Sequence, residues 1–250
     1  MELIQQLING VSLGSIYALI ALGYTMVYGI VKLINFAHGD IYMLGAFWGY
    51  YAINYLHFSF VPALLSAMVM AALSGVLIEY LAYRPLRNSP RIAALITAIG
   101  VSFFLENGMS FLFGANARNF PQVITTKTYQ ILGVDVSNVQ LLILFTSLVL
   151  MVMLQFIIKQ TTMGKAMRAV AVDPEAAQLV GINPDHVISF TFALGSALAG
   201  AAGEGAGDGQ HCHHRPRLLP VLHRCLALRG GEKAAEGGGH GRDDQNPLRL

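Results

Sequence analysis

An all-α, polytopic transmembrane helical bundle of about six spans is the fold this sequence predicts. Three observations carry that expectation. Of 250 residues, 54% are hydrophobic and only 12% are charged, about half the ~25% charged share of an ordinary soluble domain. The apolar residues also gather into runs near the roughly 20 residues that a helix needs to cross a hydrocarbon core about 30 Å thick. Finally, a formal net charge of +2 is too small for a nucleic-acid-binding chain, and the apolar content is too high for a disordered one.

Six segments meet or approach the spanning length: residues 7–31, 41–56, 60–83, 92–113, 139–158 and 187–203. The second and sixth are short, which suits tilted or half-spanning elements. The first is not a cleaved signal, because residues 1–10 hold Glu2 and no Lys or Arg, whereas a signal peptide starts with a basic region. Short loops rich in Lys and Arg stay in the cytoplasm. The loop with Arg84, Arg87 and Arg91 and the loop with Lys159, Lys165 and Arg168 are therefore both expected inside, two spans apart. Counting back puts Lys32 inside and places the amino terminus and the 114–138 connection outside. Tyr50, Tyr51 and Tyr55 then fall at the outer interface, where ring and hydroxyl meet lipid and water.

Small residues recur four apart at Gly10, Gly14 and Ala18, at Gly45 and Gly49, and at Ala193, Ala197 and Ala201. That spacing puts each set on one helix face, where backbones approach closely and dispersion replaces the hydrophobic drive that lipid removes. Either packing within the chain or a subunit or pore interface satisfies it.

The inner loop 159–186 carries the densest local signals. Asp173 suits a helix N-cap, Pro174 the first helical position, and Glu175 the positive end of the helix dipole. Ala176 and Ala177 favour helix and Gly181 suits a left-handed stop. Asn183, Pro184 and Asp185 repeat the start signal and launch the sixth span. The expectation is a short helix clipped at both ends, with Ala176, Leu179 and Val180 available for one apolar face. A helix of this length is marginal alone in water, so it needs a partner groove, on this chain or on another.

Glu175-Ala176-Ala177 followed by Gly181 resembles the EAA loop of bacterial ABC-importer permeases. Leu33-Ile-Asn-Phe-Ala-His-Gly-Asp40, Arg84-Pro-Leu-Arg87 and Arg168-Ala-Val-Ala-Val-Asp173 are similar to runs in the branched-chain amino acid permeases of that class. Together they cover about residues 1–203, although the later Ile-x-Leu-Pro of the general importer pattern is absent. The resemblance implies an ABC-importer permease-like bundle, a non-catalytic subunit of the bacterial inner membrane that moves leucine, isoleucine or valine. It further implies a homologous second permease, two cytoplasmic ATPases and a periplasmic amino-acid-binding protein as partners. Asp173, Glu175, Ala176, Ala177 and Gly181 would form the coupling helix on which the ATPase acts. The chain carries no Gly-x-x-x-x-Gly-Lys-Ser/Thr run of its own, and no cofactor is expected.

Ionisable residues within spans are costly and mark candidate function. Glu106, with Asn107, sits inside the fourth span, and both are pathway candidates. Glu79 lies near the inner end of the third and suits an ion pair with Arg84 or Arg87. Asn35 and His38, with Asp40, lie between the first two spans. They lack the companions a metal site needs; Asn35 or Asp40 is expected to cap the following helix, and Asn35 and His38 are further pathway candidates. An ion-coupled carrier or channel using Glu106 and Glu79 as proton or cation sites is the alternative reading.

Residues 204–250 are a different polymer. They hold no aromatic residue, both cysteines, five of the eight histidines and 13 charged residues in 47 positions. The His211-Cys212-His213-His214 run with His223 and Cys225 does not follow the paired spacing of zinc ligands. Seven Lys or Arg also oppose an outer position. Apolar patterning stops abruptly near residue 203, as it does when translation leaves its frame. Residues 1–203 are therefore read as the permease domain and 204–250 as an atypical tail, out of frame or disordered.

Overall fold

The computed structural model describes residues 2–32, 34–87, 89–114, 128–131 and 134–209. Its elements in order are α1 (Glu2–Val31), α2 (His38–Asn54), α3 (Phe60–Ile78), α4 (Arg91–Phe113), the strands β1 (Thr128–Ile131) and β2 (Val134–Ser137), α5 (Asn138–Gln160), α6 (Thr162–Val172), α7 (Pro174–Leu179) and α8 (Pro184–Gly209). The all-α expectation holds, with one small addition. The connection before α5 carries an antiparallel hairpin, Thr128 facing Ser137 and Ile131 facing Val134. The metal-like His and Cys run and the rest of the tail from residue 210 lie outside the described residues.

Among the described residues five helices are long and apolar enough to cross a membrane: α1, α3 with its extension to Leu86, α4, α5 and α8. The second expected span, α2, has 17 residues and covers only about 26 Å at 1.5 Å per residue. The last span is not short. It starts at Pro184, because the Asn183 side chain accepts the Asp185 amide at 2.9 Å and launches the helix before the apolar run begins.

α3 does not end at Ile78 but continues through a π-helical turn, Glu79–Tyr83, and a 3₁₀ turn, Arg84–Leu86. The Arg84 amide donates to the Glu79 carbonyl five residues back. Pro85, which has no amide hydrogen, stops the α pattern.

The last helix, α8, is the axis of the bundle. Of its spanning window 61% is buried, against 11% for α4, and it packs on α1, α2 and α3. Small residues make this possible. A Cβ on Gly200 would come within 2.5 Å of the Ala71 Cβ, and a Cβ on Gly45 would run into the Gly200 backbone. The face expected at Ala193, Ala197 and Ala201 is shifted. Ala201 is buried, but the tightest approaches on α8 come from Gly195, Gly200 and Gly203. In α1 the expected stripe has no close neighbour among the described residues at two of its positions, since a Cβ on Gly10 or Gly14 would meet nothing within 4 Å. Tyr51 stacks on Tyr55 at 5.3 Å and lies 5.3 Å from Phe113 of α4.

Candidate functional site

Two constellations stand out, one at the inner loop and one at the start of α2. The inner one begins with the α6–α7 hook. Thr161 caps α6 by accepting the Gly164 amide at 3.0 Å. Met167 and Val170 on α6, Ala177 on α7 and Val187 on α8 form a buried cluster. The whole of α6 lay within the loop as read from sequence, although Met163, Met167 and Val170 at helical spacing were its signal.

On α7 the local rules are obeyed. One Asp173 carboxylate oxygen accepts the amides of Glu175 at 2.9 Å and Ala176 at 3.1 Å. Gly181 adopts φ +86°, its amide donates to the Gln178 carbonyl, and the Ile182 amide closes on Ala177. The expected apolar face, Ala176, Leu179 and Val180, is exposed as a set. Ala177 seats the helix on the bundle. Leu179 is 89% and Val180 76% exposed. Two large aliphatic side chains thus stand open on a helix outside the spanning segments, with Val172 open beside them at the end of α6.

Behind this hook is a charged clamp that sequence reasoning saw only in part. Glu79, in the π turn, is wholly buried. It pairs with Arg87 and accepts a hydrogen bond from the Ser189 hydroxyl of α8 at 2.7 Å. Arg87 also pairs with Asp185 in the first turn of α8, and Arg84 reaches the other Asp185 oxygen at 3.1 Å. Arg84 further lies over the Tyr80 ring, 5.3 Å from its centre. The Arg-Pro-Leu-Arg turn is therefore the bracket that ties the inner end of α3 to the start of α8. Burial of Glu79 is tolerable because an arginine and a hydroxyl satisfy its carboxylate.

The second constellation surrounds the turn into α2. The expected capping role of Asn35 or Asp40 is not found. Ala37 occupies the N-cap position in helical conformation, and no side chain caps the helix. The Asn35 carbonyl oxygen instead accepts from the Tyr83 hydroxyl at 2.8 Å, which leaves Asn35 Nδ2 buried without a partner. His38 Nε2 is likewise buried and unpartnered, and its ring meets Tyr24 edge-on at 5.9 Å. Asn35 and His38, each 3% exposed, line a cavity of about 470 Å³ with Tyr17, Ile20, Tyr24 and Phe36.

Asp40, two residues further on, is buried near Ser102 and Glu106 of α4, and its Oδ2 has no hydrogen-bond partner among the described residues. Glu106 therefore belongs near the start of α2, half-buried. Asn107 is exposed and donates to the Phe103 carbonyl of its own helix at 2.7 Å. Among the described residues no three His, Cys, Asp or Glu side chains gather as a metal site.

Comparison with known proteins agrees with this architecture. Residues 6–204 match the family model described as branched-chain amino acid transport system / permease component. The chain is 40% identical over 212 residues to the high-affinity branched-chain amino acid transport system permease protein LivH of Salmonella typhimurium, covering 80% of this chain and 69% of that protein. It is 41% identical over 220 residues to LivH of Escherichia coli K12, with the same shares of each chain covered. To BraD of Pseudomonas aeruginosa, which carries the same description, it is 38% identical over 211 residues, again covering 80% and 69%. No solved structure matches. With a multi-pass apolar bundle and a family match running through nearly all of it, the chain belongs to the permease component family of branched-chain amino acid transport systems.

Proposed function

We propose that this chain is the non-catalytic membrane subunit of an ATP-driven importer of branched-chain amino acids, and that α7 is where ATPase motion enters it. The observation that carries this reading is a six-residue helix, capped by Asp173 and stopped at Gly181, that exposes Leu179 and Val180 while Ala177 holds it to the bundle. Exposed aliphatic side chains on so short an element suit a groove on a partner protein. The permease domain is taken as residues 1–203, with 159–186 as its coupling loop and 204–250 outside it.

In this reading a displacement of α7 passes to α8 through Asn183, Pro184 and Asp185. Asp185 holds Arg84 and Arg87, and Arg87 holds Glu79, so α3 moves with α8 rather than sliding past it. Two ATPases, a second permease and an external amino-acid-binding protein complete the machine in the inner membrane. Selection among amino acids falls chiefly to that external receptor, and the pathway offers a few polar groups, Asn35, His38 and Glu106, on an apolar wall. Asn107 lies on the same helix as Glu106 but binds its own backbone.

The test is Leu179→Glu with Val180→Glu in the complete complex. Burying two carboxylates in an apolar groove costs several kcal/mol, and 1.4 kcal/mol is a factor of about ten in affinity. Leucine uptake and co-purification of the ATPase should both fall at least about tenfold, with the helical content of the chain retained. Uptake and co-purification at the parental level would contradict the proposal.

A further inference from the structure

The pairings along α8 give the depth at which α2 begins. A Cβ on Gly23 of α1 would lie 2.7 Å from the Gly195 carbonyl of α8 and 3.2 Å from His38 Nε2. The first residue of α2 is thus level with Gly195, eleven residues into α8, or about 17 Å along its axis. α2 runs outward from there, with Gly45 against Gly200 and Gly49 against Glu204. Val31, eight residues beyond Gly23 on α1, lies about 12 Å deeper toward the inner side. The chain therefore turns back into the bundle before α2 starts, close to the middle of a core about 30 Å thick.

A helix that starts at mid-membrane brings its positive end into the lipid core; its His38 and Asp40 amides already donate to the Asn35 and Ala37 carbonyls. Here no side chain caps it. Beside it, Asn35 Nδ2 and His38 Nε2 are buried polar atoms without partners. Unsatisfied groups of this kind cost about 1–3 kcal/mol each, a cost that a ligand can recover. Their cavity, about 470 Å³, falls within the roughly 300–1,000 Å³ of small-molecule sites. The remaining wall is apolar or aromatic, including Ile20, Tyr24 and Phe36. The Asp40 side chain does not line this cavity.

We infer that the start of α2 is a way-station that binds a zwitterionic aliphatic amino acid within the membrane. The ligand's carboxylate takes Asn35 Nδ2 at the positive end of α2, and its side chain lies along Ile20 and Phe36. His38 supplies a second polar contact to the head group. The fixed dipole of a helix start suits this task because it needs no reorganisation to meet a carboxylate. The inference rests on the importer reading for the identity of the cargo, but it concerns binding rather than coupling.

The experiment reads occupancy directly. Thr25 lines the same cavity, and its hydroxyl is tied to the Leu22 carbonyl of its own helix, so Thr25→Cys removes no contact to the proposed ligand. The variant is made with Cys212→Ser and Cys225→Ser, the chain's only two cysteines, and assembled with its partner subunits in vesicles. L-leucine at about ten times its dissociation constant should slow alkylation by a small thiol reagent about tenfold. Leucinol, which lacks the carboxylate, should not slow it, and Asn35→Asp should abolish the protection by leucine. Vesicles that take up leucine yet show the same alkylation rate with and without it would overturn the site and leave the importer reading standing. Leucine-specific protection in vesicles without ATP-dependent uptake would keep the site and overturn the importer reading. Equal protection by leucine and leucinol would also overturn the assignment, since the carboxylate would then have no role.

Discussion

The residue with the most at stake is Glu79. It has no exposure to solvent and is held by Arg87 and Ser189. Removing one partner of such a pair leaves an uncompensated buried charge, a loss of about 3–5 kcal/mol. Arg87→Met should therefore lower the unfolding free energy of the detergent-solubilised chain by about that amount. Glu79→Met combined with Arg87→Met should lose less than Arg87→Met alone, because Asp185 keeps Arg84 and no buried charge is stranded. Equal losses in thermal unfolding would mean that the pair is not coupled. This part of the site was only half legible in the sequence. Glu79 was readable as a partner of Arg84 or Arg87 because eight residues or fewer separate them. Asp185 was not, since its pairing with Arg87 spans 98 residues and exists only because α3 packs on α8. Asn35 shows the opposite failure: a residue type that commonly caps helices is engaged by Tyr83, 48 positions away.

At the scale of the element, α7 was legible because its determinants are local. Asp173, Pro174 and Gly181 act within three residues of the helix ends, so no tertiary information was needed. Asp173→Ala removes the acceptor of two amides and should cost about 1 kcal/mol. Gly181→Val forces a β-branched residue to φ +86° and should cost about 1–2 kcal/mol. Both changes should increase hydrogen exchange of residues 174–182 while leaving the exchange of α8 as in the parent; no change in that segment would contradict the cap assignment. The companion helix α6 is less legible because Lys165 and Arg168 interrupt the Met163, Met167, Val170 stripe. The length of α8 was underread for a similar reason: apolar runs mark where a span meets lipid, whereas Asn183 and Pro184 mark where its helix starts.

For the whole molecule, hydrophobic runs were enough to place the spans, and small residues enough to predict close packing. They did not tell which helix is central. That role falls to α8 because Gly195, Gly200 and Gly203 let neighbouring backbones approach it on several sides, a property of the assembled bundle rather than of one stripe. The resulting architecture has three parts: an exposed hook at α7, a charged clamp between α8 and α3, and the start of α2 beside a largely apolar cavity that Asn35 and His38 line. The measurement that bears most directly on this account is crosslinking from the hook. With a photoreactive side chain at Leu179, in a complex that demonstrably imports leucine, the predicted result is a covalent product with the ATPase subunit whose yield changes between the nucleotide-free and ATP-bound states. A transport-active complex in which position 179 never captures the ATPase would contradict it.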